Sequence, residues 1–208
     1  MPPGNTVGSL ASTQHAILVE SLLGDGTLRK QGTRTNALFE VNHAVQVKEY
    51  VDWKWRHFHA YVRTPPKSRK GNGKRVAYRF TTRSLPIFTN YYYWFYRDRK
   101  KHVPRDLMLT PLSLAVWYMD DGTKNRSACY LNTQQFSLED QEYLRHLLLR
   151  TFGIQSAPNR DKQYFRLRIT TESTRKLARI IRPYILPCFR YKLMDDPVTT
   201  DPKGEASV

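Results

Sequence analysis

Two stretches of this chain end alike, 96 residues apart: Ile17-Leu18-Val19-Glu20-Ser21-Leu22-Leu23-Gly24-Asp25-Gly26 and Leu114-Ala115-Val116-Trp117-Tyr118-Met119-Asp120-Asp121-Gly122. Each is an apolar run that stops in acid and glycine. The second follows Thr110-Pro111, an N-cap residue and a proline at the first helical position. A helix of the core rarely finishes on carboxylates, because uncompensated buried charge is costly. One copy is ordinary C-cap and turn chemistry. Two copies, one per half, constrain the whole fold.

Other matches share this spacing. Residues 76–84 (Val-Ala-Tyr-Arg-Phe-Thr-Thr-Arg-Ser) align with residues 165–173 (Phe-Arg-Leu-Arg-Ile-Thr-Thr-Glu-Ser) at an offset of 89, and Glu49-Tyr50 aligns with Glu142-Tyr143 at 93. A repeat this long, with loop-sized drift, is a duplicated domain and not a solenoid. The expected fold class is therefore α+β, two pseudo-symmetric units of type αββαββα, over residues 13–105 and 106–194. Residues 1–12 and 195–208 read as disordered tails, and the first dozen lack signal-peptide and transit-peptide character.

Taken in order, the first helix should begin near Ser12 or Thr13, either able to cap it, and run to Gly24. Strands follow at about 27–31 and 36–42 around a turn at 32–35, then an aromatic amphipathic helix at 45–61. Its Tyr50, Trp53, Phe58 and Tyr61 fall at helical spacing and read as core. Residues 63–74 form the most basic loop, carrying Arg63, Lys67, Arg69, Lys70 and Lys74 with no acid among them, and read as a phosphate-contacting arm. In the strand at 75–82, Val76, Tyr78 and Phe80 alternate with Arg75, Ala77, Arg79 and Thr81. A helix at 85–97 leads into a linker at 97–104. The second half repeats the order: helix 111–120, strands 123–125 and 128–133, and a helix 138–152 capped by Ser137 and Gly153. Then come 154–157, a turn at 158–161, an alternating strand 164–170 and a helix at about 172–185.

The net charge of +16, with 34 basic against 18 acidic residues, points to a polyanionic partner. The excess is concentrated in residues 1–105, which hold 19 lysines and arginines against six acids. Cys129 and Cys188 make neither a disulfide framework nor a metal-ligand spacing and read as core residues of a reducing compartment. No apolar run reaches the ~18 residues of a membrane span.

If the two acid-ending helices pack at a pseudo-twofold axis, Asp25 and Asp121 meet. Two carboxylates that close cannot both stay ionised without a cation. Hard oxygen ligands suit Mg²⁺, whose shell is completed by phosphates and waters, and the matching chemistry is phosphodiester hydrolysis. Arg75, Arg79, Arg166 and Arg168 project from one face of each sheet, where a β-ribbon can enter the major groove and arginine pairs with guanine.

On these motifs the chain resembles the single-chain, two-motif LAGLIDADG homing endonucleases, of the branch whose second motif ends Trp-Tyr-Met-Asp-Asp-Gly. The likeness runs from about residue 13 to 193 and includes Phe189-Arg190-Tyr191-Lys192-Leu193 and Leu131-Asn132-Thr133-Gln134-Gln135-Phe136-Ser137. The resemblance implies two saddle-shaped antiparallel sheets for DNA, packed through the motif helices. It also implies a monomer that cuts double-stranded DNA at a long target and leaves short 3′ overhangs. Asp25 and Asp121 would bind the divalent metals (Mg²⁺, with Mn²⁺ or Ca²⁺ able to substitute for binding), assisted by the carbonyls of Gly24 and Asp120. Lys101 and Lys192 match lysines near the scissile phosphates. Gln134 matches a water-ordering residue, with Gln135 the alternative, and His43 is its first-half counterpart. The DNA-binding set is Arg29, Arg34, Arg69, Lys70, Lys74, Arg75, Arg79, Lys124, Arg126, Arg166 and Arg168. Glu20 stands where the family has a small residue and is expected to tilt towards solvent or the strand loops. An intron RNA maturase, or a non-cleaving DNA binder of the same fold, is the alternative reading. The sequence does not give the compartment: an organelle (chloroplast or mitochondrion) and a bacterial or phage cytoplasm both stay open.

Overall fold

The computed structural model describes residues 9–71, 75–125 and 127–193. Helix α1 (Ser12–Leu23) leads into strands β1 (Thr27–Arg29) and β2 (Leu38–Ala44). Helix α2 (Lys48–Phe58), strands β3 (Lys67–Lys70) and β4 (Val76–Thr81) and helix α3 (Pro86–Phe95) complete the first unit. A hairpin of β5 (Tyr96–Arg97) and β6 (Lys100–Lys101) follows. The second unit is α4 (Pro111–Asp121), β7 (Gly122–Asn125), β8 (Ala128–Leu131), α5 (Leu138–Phe152), β9 (Ser156–Asp161), β10 (Tyr164–Ile169) and α6 (Thr171–Ile181). Their sheets have the same antiparallel order, β1-β2-β4-β3 and β7-β8-β10-β9. The αββαββα duplication is thus a matter of strand order as well as sequence. No helix among the described residues is long and apolar enough to cross a membrane.

The motif helices pack against each other at the centre. From Ala16 to Leu23 every residue of α1 is buried, and so is every residue of α4 from Ser113 to Met119. A helix apolar all round has neighbours on every side. Here the partner helix takes one side and the sheets and outer helices take the others. Tyr50 and Phe58 of α2 are fully buried, while Trp53 and Tyr61 pack half-buried at the core's edge. Both cysteines are free, Cys129 buried and Cys188 partly so.

Several sequence expectations are corrected. The basic segment at 63–74 is not a loop throughout, because Lys67–Lys70 pairs with β4 as an edge strand. All four of its residues are exposed, so no apolar alternation marks it, and charged residues are what edge strands carry. The turn expected at 158–161 lies within β9, whose Pro158 is tolerated because β9 is an edge. The linker at 97–104 contains the β5–β6 hairpin, turned by Asp98 and Arg99 at φ 49° and 62°. Both sit in the left-handed region that a two-residue hairpin turn requires, without the usual Asn-Gly signal. Helix α1 starts at Ser12 with Ala11 as its cap, and the Gln14 side chain accepts the Ala11 N–H at 3.0 Å. Leu10 is buried, so chain order begins before residue 12. The last helix ends at Ile181 and passes into a 3₁₀ turn. Residues 1–8 and 194–208, with Lys74 and Arg126, lie outside the described residues.

Glu20 is the sharpest correction. It does not tilt to solvent; it is fully buried within α1, and among the described residues neither carboxyl oxygen makes a hydrogen bond of ordinary geometry. Burial pushes its pKa up to about 8, a rise that nearby Asp120 reinforces and the Ser113 side chain opposes. The residue fits a helix interface because it is neutral there.

Candidate active site and nucleic-acid interface

Asp25 follows the end of α1 and Asp121 ends α4. Both line one cavity of about 1010 Å³, together with Gly24, Lys101, Gln134 and Gln135. The two carboxylates differ in their surroundings. The Asp25 side chain is 56% exposed. Asp121 is shielded, and burial, then Asp25, then Asp120 push its pKa up to about 8 against the pull of Lys101 and Lys192. Burial is the larger cause and the neighbouring carboxylates the next, so two carboxyl groups face one cavity where a cation would relieve their repulsion. The donor set therefore fits a hard divalent cation. No cluster of three or more His, Cys, Asp or Glu side chains surrounds a single point among the described residues. Phosphate and water oxygens would complete the shell, as Mg²⁺ ordinarily requires.

The two lysines sit at the two helix ends. Lys101 donates to the carbonyls of Gly24 (2.9 Å) and Gly26 (2.8 Å), and Lys192 donates to that of Met119 (2.8 Å). Helix C-termini carry partial negative charge, which holds an ammonium there. Burial lowers the Lys101 pKa to about 8 against the pull of all three aspartates, and it lowers that of Lys192 too. The Gly24 carbonyl, expected as a metal ligand, is thus already engaged by Lys101 and by Gln135 Nε2 at 3.4 Å.

Gln135, not Gln134, reaches the first helix: its Nε2 donates to the Leu23 carbonyl at 2.8 Å, whereas Gln134 donates to Asp161 at 2.9 Å. His43 lies inside strand β2, while the two glutamines lie in the turn after β8, so the expected equivalence is not one of strand position. His43 is buried with Nδ1 3.8 Å from Asp25 and Nε2 3.5 Å from Asp120. Burial, reinforced by Lys54, drops its pKa to about 3, so the ring is neutral.

Lys54 was not foreseen. It donates to both Asp120 oxygens, at 2.9 and 3.0 Å, with both side chains 0% exposed. A signal did exist: Tyr50, Lys54 and Phe58 share one stripe of α2, and a lysine on an apolar stripe needs a carboxylate. Asp120, the first acid of the Asp120-Asp121 pair, is that carboxylate.

The strand arginines gather on the outer faces. In the first sheet Lys67 stands opposite Arg79, with Arg69 and Arg75 exposed beside them. Like charges directly opposite one another are destabilising, so this face is built for a polyanion. Lys67, absent from the expected binding set, shares this face. Arg34, Lys70 and Arg168 are exposed as well. Arg29 is paired with Glu40 at 2.8 Å, and Arg166 lies over the Tyr130 ring at 4.3 Å and donates to Asn132 at 3.2 Å. Lys124 is misplaced in the binding set. It is registered across from buried Cys129, on the opposite face, and its Nζ donates to the Leu193 carbonyl at 2.8 Å.

Residues 15–177 match the LAGLIDADG DNA endonuclease family. Cytochrome b mRNA maturase bI2 of Saccharomyces cerevisiae is 32% identical over an alignment of 214 residues, which takes in 91% of this chain and 49% of that protein. This chain therefore spans about half of that maturase. Probable intron-encoded endonuclease 1 of Wickerhamomyces canadensis is 31% identical over 202 residues, covering 89% of this chain and 86% of that protein. The homing endonuclease I-WcaI, solved bound to its DNA recognition sequence, superposes with a TM-score of 0.83 at 27% identity, over 92% of this chain and 90% of its own. I-DmoI, at TM-score 0.56 and 16% identity, shares the fold.

Proposed function

The chain belongs to the LAGLIDADG DNA endonuclease family, and from that premise we propose that it is a site-specific endonuclease hydrolysing both strands of duplex DNA. In this reading residues 13–105 and 106–194 are its two repeats, of the branch with a Trp-Tyr-Met-Asp-Asp-Gly second motif. It works as a monomer on a target of about 20 base pairs and leaves short 3′ overhangs. The observation that carries the reading is the shared cavity of Asp25 and Asp121 at the ends of two packed helices, with a lysine on each helix end.

Asp25 and Asp121 would hold Mg²⁺, for which Mn²⁺ or Ca²⁺ can stand in for binding, with the Asp120 and Gly24 carbonyls nearby. Bound there, the cation supplies Lewis-acid stabilisation of the leaving oxygen and a water acidic enough to attack. The chain's own residues do the rest. Lys101 and Lys192 set positive charge beside the scissile phosphates. Gln135, anchored to the first helix end, and Gln134 order solvent over the site. His43 is neutral and seals the inner side without adding charge. Lys67, Arg69, Arg75 and Arg79 of one sheet and Arg166 and Arg168 of the other lie against the duplex.

The test is incubation of the protein with Mg²⁺ and a randomised duplex library. Cleavage at a recurring sequence is expected, and Asp25→Asn or Asp121→Asn should abolish it while duplex binding persists. Binding without cleavage by the unsubstituted chain would sink the reading. The identity to an mRNA maturase favours a second reading, intron RNA as partner, which a preference for intron RNA over duplex DNA in competition would support.

A further inference from the structure

Asp120 is the residue in α4 that corresponds to Gly24, the cap at the end of α1, each standing one place before its half's matched aspartate. The two meet across the helix pair. A Cβ on Gly24 would fall 2.5 Å from the Asp120 Cβ and 3.1 Å from its Oδ2, so the bare backbone of one half is the space the other half's side chain fills. From there the Asp120 carboxylate reaches into the first unit and takes both of its oxygens to Lys54 Nζ. Lys54 is itself fixed, 4.3 Å above the Tyr50 ring, and the Tyr50 hydroxyl donates to the Val116 carbonyl of α4 at 3.3 Å. The contact is asymmetric. It joins the halves through an acid that only the second carries and a glycine that only the first carries.

Stability does not call for it. A buried ion pair is commonly matched or bettered by apolar side chains of similar volume. Its position supplies the reason. Without Lys54, Asp120 would be a third carboxylate free to turn towards Asp25 and Asp121, and the last turn of α4 would lose its anchor. We propose that Lys54 is a positioning residue, whose pair with Asp120 seats the end of α4 against Gly24 and sets Asp121 beside Asp25 as one cation site. This rests on the nuclease reading of that site.

The test compares the parent chain with Lys54→Met/Asp120→Leu, which replaces the pair by apolar side chains, and with Lys54→Arg, which keeps the charge in another shape. Each is measured for thermal unfolding, for affinity to duplex DNA without divalent metal, for affinity to Mn²⁺ alone, and for cleavage against Mg²⁺ concentration. The double variant should stay folded and bind duplex as the parent does. Its Mn²⁺ affinity and cleavage rate should each fall about 10–100-fold, the usual effect of removing a group that orients metal ligands. Parent-like Mn²⁺ affinity in the folded double variant overturns the proposal. If the double variant does not fold, Lys54→Arg decides: weakened Mn²⁺ affinity with intact duplex binding supports the proposal, and unchanged Mn²⁺ affinity overturns it. A parent that binds Mn²⁺ but cuts no duplex sinks the nuclease reading, and the Mn²⁺ comparison still judges Lys54. A parent that binds no Mn²⁺ overturns both.

Discussion

Glu20 and Asp121 are both carboxyls raised to about 8, for partly different reasons, and they make different predictions. Glu20 is raised chiefly by burial among apolar side chains. In the unfolded chain it ionises near its ordinary 4.5, so as pH climbs from there to about 8 the unfolded state has shed a proton that the folded state still holds. Its contribution is therefore fully present only below 4.5 and is lost progressively up to about 8. Glu20→Gln keeps the shape and removes that loss. Its thermal midpoint should rise above the parent's by a margin that widens between pH 5 and pH 8, and an equal margin at both would refute the account. Asp121 is raised by burial together with two neighbouring carboxylates, and a cation must displace its proton. Metal affinity should accordingly strengthen as pH rises, by about tenfold per unit, and level off above about 8; a calorimetric Mn²⁺ titration at three pH values reads this directly.

At the scale of elements, the two motif helices can approach because Gly24 has no side chain. Gly24→Ala places a Cβ 2.5 Å from that of Asp120, where neither backbone can yield cheaply. Overpacking of this kind typically costs about 1–3 kcal/mol. Denaturant unfolding should show that loss, with a larger fall in cleavage than in duplex binding, since the displaced groups carry Asp25 and Asp121. The periodic elements were legible beforehand. Helix α5 occupies the span its Ser137 and Gly153 caps announce, and β4 and β10 turn the apolar members of their alternation inward, with Tyr78, Phe80, Leu167 and Ile169 buried and Val76 and Phe165 half-buried. The missed elements were edge strands β3 and β9 and the β5–β6 hairpin. An edge strand that buries no face leaves no period of two, and a turn made by Asp98-Arg99 lacks glycine punctuation.

Across the whole molecule, charge is distributed unequally between two similar sheets. The first presents Lys67, Arg69, Arg75 and Arg79; in the second, Arg166 is partly committed to Tyr130 and Asn132. Duplex affinity should therefore fall steeply with salt. Arg79→Ala should lower the slope of log affinity against log salt by about one, and Arg166→Ala by less. Equal changes for the two variants would mean that both sheets meet the phosphates alike.

The duplication, the periodic helices and inner strands and the two matched aspartates were all determined by the sequence alone. Each is written in local spacing or in the match between halves. Tertiary structure alone decided what crosses between segments distant along the chain. Lys54 and Asp120 stand 66 residues apart, and Gln135 is 112 residues from the carbonyl it holds. It also decided that Glu20 is buried and neutral, and that Lys124 faces away from its sheet's arginines. Spacing along a chain gives the face on which a side chain lies. What that face meets depends on how helices and sheets pack, and only packing settles which charges are paired and which are left for a ligand.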